Sequence, residues 1–147
     1  MKLLNYYIEN FEPVKKGKDL YGLSRDCFQH LFTDKGYYFV KIQKEVLWNG
    51  ASVPFLLRWF LPNWDKKDSR YNALSLLHDV AFATKGFFGK FSFEECNDLW
   101  RGGLREIGKD RLHASGSNFA LMKFSKSHFG KDENNVAPFV TCTLIKG

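Results

Sequence analysis

The sequence predicts an α+β fold: a small, mainly antiparallel N-terminal sheet packed on a helical hairpin, with a C-terminal helix and strand extension. Three observations carry that expectation. Short runs of β-branched and aromatic residues fill the first fifty positions. Apolar residues then recur at helical spacing through the middle of the chain. Ser92-Phe93-Glu94-Glu95 has the pattern of a capping box, which starts a helix. The length, 147 residues, suits one hydrophobic core. Residues 1–147 are therefore read as a single domain, with 1–50 mainly strands, 55–108 helical and 109–147 an extension.

Taken in order, Tyr6 and Ile8 belong to the first strand. Asp34-Lys35-Gly36 reads as a hairpin turn leading into Tyr37–Ile42. Lys44–Trp48 reads as a further strand that stops at Asn49-Gly50, two residues that tolerate a left-handed backbone. From Tyr71 to Phe82, the residues Tyr71, Leu74, His78, Ala81 and Phe82 share one helical face, and Gly86 is a stop. The second helix starts at Ser92, presents Phe93, Cys96, Trp100, Leu104 and Ile107, and ends at Gly108. Gly102 and Gly103 inside it cost roughly 1 kcal/mol each relative to Ala, which predicts the close approach of another backbone there, that of a packed helix. Ala120–Phe129 reads as a short amphipathic helix. Pro138–Ile145 alternates like a strand that must find a sheet edge, in its own domain or in a neighbouring copy.

Composition narrows the function classes. An apolar fraction of 44% excludes intrinsic disorder. No apolar run approaches the roughly 20 residues of a membrane span, and Met1–Phe11 lacks the apolar stretch of an export signal. The chain reads as soluble and unexported. Its net charge of +6 is spread in short groups, Lys15, Lys16 and Lys18 or Lys66 and Lys67, each flanked by acids. That is the pattern of a solvated surface, so nucleic acid is not the expected partner. Cys27, Cys96 and Cys142 are odd in number and form no Cys-x-x-Cys, so they read as reduced thiols filling the core.

The residues that can carry chemistry lie close in sequence. His78 is central on the apolar face of its helix and Asn97 lies on the flank of the next. An antiparallel hairpin of the two brings them together. Asp98 points to solvent, and Asp79 lies at the border with Asn72 and Ser75. The turn at Asn49–Ser52 offers backbone groups and a hydroxyl. Ser52 lacks the Gly-x-Ser-x-Gly context of a nucleophile elbow and reads more simply as the cap of Phe55–Leu61. Trp48, Trp59, Phe60 and Trp64 are candidates for a groove or for core. His113, His128 and Cys142 lack metal-ligand spacing.

Four stretches in this order, Asn49-Gly50-Ala51-Ser52-Val53-Pro54, Leu76–Phe82, Cys96–Trp100 and Leu104–Gly108, resemble a phage and prophage family catalogued as domain of unknown function 1353. The likeness runs from about Phe32 to Gly108. The His-Asp helix and its facing helix are also similar, more distantly, to small secreted and parvoviral phospholipases A2. This second resemblance implies His78 as general base, Asp79 as the carboxylate of a calcium site, Asn97 in the seat of an orienting Asp, and oxygen ligands from the turn around Gly50. The sequence departs from these patterns at Asn49 and Asn97, where acids are usual, and at Phe82, where Tyr is usual. An amide carries no charge to steady an imidazolium, and the comparable change in a serine-protease triad lowers the rate about ten-thousandfold. His78 and Asp79, lined by Asn49, Ser52, Phe82 and Asn97, therefore read as a vestigial site with no cofactor.

The first resemblance implies a virion- or tail-associated or accessory protein. It would act by contact with other phage structural proteins or with itself, made in the host cytoplasm and assembled into the particle. A phospholipase A2-like or cell-wall hydrolase using His78 and Asp79, with calcium, is the alternative. An inhibitor of a host factor is a third.

Overall fold

The computed structural model describes residues 1–50, 64–109, 126–132 and 134–147. Its main sheet contains β1 (Leu3–Glu9), β4 (Cys27–Thr33), β5 (Gly36–Ile42) and β6 (Val140–Lys146), in the order β1-β4-β5-β6 with every neighbour antiparallel. A separate ribbon pairs β2 (Pro13–Gly17) with β3 (Leu20–Leu23). The α+β expectation holds. Period-two alternation explains the sheet's two faces: Cys27, Gln29, Leu31, Tyr38, Val40 and Ile42 point into the core. Phe28, His30, Phe32, Tyr37 and Phe39 lie on the other face.

Helix α1 (Ser69–Ala83) starts where Asp68 accepts a hydrogen bond from the Tyr71 amide at 3.1 Å. Every residue from Tyr71 to Leu77 is buried, so α1 is the central rod of the core rather than a surface helix. Helix α3 (Phe93–Glu106) is amphipathic and packs on α1. Its capping box is complete: Ser92 Oγ accepts from the Glu95 amide at 3.1 Å, and the Ser92 amide donates to Glu95 Oε1 at 3.1 Å. Gly108, with φ +89°, follows its end as expected. Between them α2 (Lys85–Gly89) is one tight turn with left-handed backbone at Gly86, Phe87 and Phe88. Gly86 is required there, because a Cβ would stand 1.7 Å from the Phe91 carbonyl oxygen.

Several expectations are corrected. Lys44–Trp48 is not a strand. Asp26 Oδ1 accepts from the Lys44 amide at 2.9 Å and the Val46 amide bonds back to the Gln43 carbonyl at 3.1 Å, which bends the chain off β5. Val46 and Trp48 still reach the core, and Trp48 makes a single bridge to Tyr21. Gly102 and Gly103 admit side chains, not another backbone. A Cβ on Gly102 would lie 2.8 Å from the Leu3 Cβ, and one on Gly103 would lie 2.3 Å from Leu74 Cδ1 of α1. Helix contact is right for Gly103 alone. Strand β6 pairs with β5 of its own chain. Of the segment read as a helix over Ala120–Phe129, 120–125 lie outside the described residues and Lys126–His128 form a 3-10 turn.

Trp48 is fully buried in the core, and Trp64, partly buried, packs against that core by stacking on Tyr21 with centroids 3.7 Å apart. Trp59 and Phe60 lie outside the described residues. The three cysteines are free and buried as expected, and burial pushes the Cys27 and Cys142 thiols up to about 12. None of the described helices is long and apolar enough to cross a membrane.

Candidate functional site

The antiparallel pairing of α1 and α3 places His78 against Asn97, with Nε2 3.2 Å from Asn97 Oδ1. The phase of α3 follows from its cap at Ser92, which turns Phe93, Cys96, Trp100 and Leu104 into the core together with Asn97. With the amide oxygen as acceptor, Nε2–H is the donor, and this bond assigns the tautomer that leaves the lone pair on Nδ1. Among the described residues nothing hydrogen-bonds that nitrogen. The ring sits between Phe82, at 4.3 Å between centroids, and Trp100, at 5.5 Å. Burial pushes His78 down to about 4, and the bond to Asn97 opposes that shift. The imidazole is therefore neutral near pH 7.

Asn97 is buried, and its Nδ2 has no hydrogen-bond partner among the described residues. A stranded donor of this kind is uncommon in a core and marks an incompletely satisfied site. Phe129 roofs the aromatic wall, packing edge-on against Phe82 and Phe93 at 5.4 and 5.6 Å. The Gly130 amide fastens that roof to the Phe82 carbonyl at 2.8 Å.

The other candidates fall in different places. Asp79 is partly buried next to His78 on α1, and Asn49 is exposed beside the buried Gly50, whose φ is +74°. Ser52 lies outside the described residues, as does His113. Asn72 and Ser75 are not border residues but buried struts. Ser75 Oγ donates to the Asn72 carbonyl at 2.6 Å and accepts from Trp48 Nε1 at 3.2 Å. Asn72 holds the Asp65 backbone through both amide atoms, at 2.7 and 2.9 Å. Asp98 is not a free solvent residue either, because it accepts from the Met1 amine at 2.9 Å and from Arg101 at 3.1 Å. Calcium asks for six to eight oxygen ligands, several of them charged. Among the described residues no three His, Cys, Asp or Glu side chains gather to hold a metal ion. Asp79 is the one carboxylate carried over to this site, and that donor set does not by itself fit calcium.

Two polar clusters escaped the sequence reading. On the outer sheet face His30 lies between Glu9 Oε1 and the Tyr37 hydroxyl, each at 2.6 Å. Strand alternation through Phe28, His30 and Phe32 is the signal that points to it. On the inner face Gln29 Oε1 accepts from the Tyr6 hydroxyl while Nε2 donates to the Ala73 carbonyl of α1 at 3.0 Å. Comparison with known protein families, with curated proteins and with solved structures gives no match for the chain.

Proposed function

We propose that this chain is a phage-type virion- or tail-associated or accessory protein that works by protein–protein contact and without turnover. One observation carries the second half of that reading: the group facing the His78 ring is the uncharged amide of Asn97. A neutral imidazole with a depressed pKa is a weak base, and among the described residues no carboxylate bonds to it to stabilise the charge it would acquire on taking a proton. The contact half is supported by large apolar side chains left open on the sheet, Leu4, Tyr7, Phe32, Leu144 and Ile145. The test has two arms. Purified particles from the phage or prophage encoding the sequence should contain the chain, and its absence counts against a virion role. Mixed phospholipid vesicles with calcium should stay intact in its presence.

Hydrolysis is the second reading, and one feature favours it. Nδ1 of His78 keeps its lone pair while Nε2 is held by an amide, an arrangement that papain-like enzymes use productively. Vesicle hydrolysis that disappears in His78→Ala would establish it and overturn the first reading.

A further inference from the structure

We infer that the outer edge of β6 pairs with the same strand of a second copy, joining two four-stranded sheets about a two-fold axis. The strand stands at the end of the sheet, with β5 as its neighbour on one side. The Gln43 amide bonds to the Phe139 carbonyl at 2.9 Å, which fixes the alternation along the ladder. In that alternation Thr141 and Thr143 face β5 with their backbone groups, opposite Lys41 and Phe39. Cys142 and Leu144 then direct N–H and C=O outward, and Val140 its C=O. Among the described residues nothing takes those bonds.

From Val140 to Leu144 this edge is also undefended, with no charge, no Pro and no Gly, and its bulge at Ile145 and its one charge at Lys146 come after that stretch. Edges that are meant to stay free are usually broken by charge, proline or a bulge. The opposite edge, β1, carries its bulge within the strand, between Leu3 and Asn5, and ends in Glu9, whereas the bulge of β6 lies past the stretch that would pair. A second sign is Leu144. It pairs with the buried Tyr38 on the core side of the sheet, yet 47% of it is open to solvent.

A second copy completes all of this when the axis passes through Cys142. The Cys142 backbones exchange two hydrogen bonds, and each Leu144 N–H reaches the Val140 carbonyl of the other copy. Val140 of the second copy covers Leu144. On the outer face Thr141 stands opposite Thr143 twice, a favourable cross-strand pair. No like charges meet, since the stretch that pairs, Val140 to Leu144, has no charged residue. The occupant is thus a copy of this chain, because the strand complements itself in both hydrogen bonding and charge.

The inference rests on the contact reading above, but the two fail separately. Vesicle hydrolysis would overturn that reading and leave the pairing in place. The pairing is tested by light scattering on the full chain over a range of concentrations, where a dimer is expected. Thr141→Lys with Thr143→Lys changes two exposed side chains and sets like charges opposite each other twice, which weakens the dimer about tenfold or more. Thr141→Glu with Thr143→Glu does the same, and mixing the two variants restores a dimer. Circular dichroism matching the parent checks that both variants are folded. A parent chain that stays monomeric overturns the inference, as does a lysine variant that dimerises like the parent. Failure of the mixture to pair overturns the register.

Discussion

Two buried side-chain amides, Gln29 and Asn97, bond to α1 from different elements, β4 and α3, and are satisfied very differently. Gln29 on β4 uses both ends, taking the Tyr6 hydroxyl and giving to the Ala73 carbonyl, so it ties two strands to the central helix. Asn97 on α3 uses one end, at His78, and its Nδ2 is stranded. A fully bonded buried amide is a strut whose removal leaves partners unpaired. A half-bonded one contributes less to stability and holds its neighbour in a chosen orientation. The first belongs to the architecture and the second to a site.

The largest expected effect comes from acid, and it acts on the Asn97 side alone. His78 has a folded pKa of about 4 against an ordinary 6.5. Between those values the unfolded chain binds more protons than the folded one, so stability rises with pH through the window and falls as pH drops from 6.5 to 4. The loss attributable to this group is on the order of 3 kcal/mol. Denaturant unfolding at pH 7 and pH 4 should show it, and His78→Gln should flatten the slope. An unchanged slope would mean that the ring is not desolvated.

Gln29→Leu is next. It strands the Tyr6 hydroxyl and takes a partner from the Ala73 carbonyl, and should destabilise by about 2 kcal/mol at pH 7. Asn97→Leu should lower stability by about 1 kcal/mol or less, since it removes an orphaned donor along with one good bond. Equal losses in the two leucine variants, read from urea midpoints, would erase the distinction between strut and site. The smallest effect on stability, and the sharpest reading of geometry, is expected from Asn97→Asp. A carboxylate beside the imidazole favours its charged form and should move the His78 titration upward from about 4, followed by NMR. No movement would mean that position 97 does not face the ring.

The His78–Asn97 contact was legible because two local signals agree. The cap at Ser92 sets the phase of α3, and the apolar period of α1 sets its own. Asn72 and Ser75 were misread because the same period assumes one buried face, whereas α1 is enclosed by the sheet, by α3 and by the Trp48 segment. Trp48 itself looked like a strand residue: its side chain is a strand former, and its departure from β5 depends on Asp26, a residue distant in sequence. Asp98 faces away from the hairpin seam as its helical phase requires. Its partner there, the Met1 amine, is not visible in any local pattern. The position of β6 beside β5 is likewise a long-range outcome that alternation alone leaves open.

The place of β6 also bears on how the molecule assembles. Strand β4 meets β5 through the turn at Asp34-Lys35 and β1 reaches β4 across the β2–β3 ribbon, but the fourth strand joins them only after the chain has gone through both long helices. Closing so wide a loop forfeits entropy before any ladder bond repays it, which slows folding relative to local pairing. Until that late arrival the side of β5 awaiting its neighbour stays open. During that interval the nascent protein is most exposed to mispairing with its own kind.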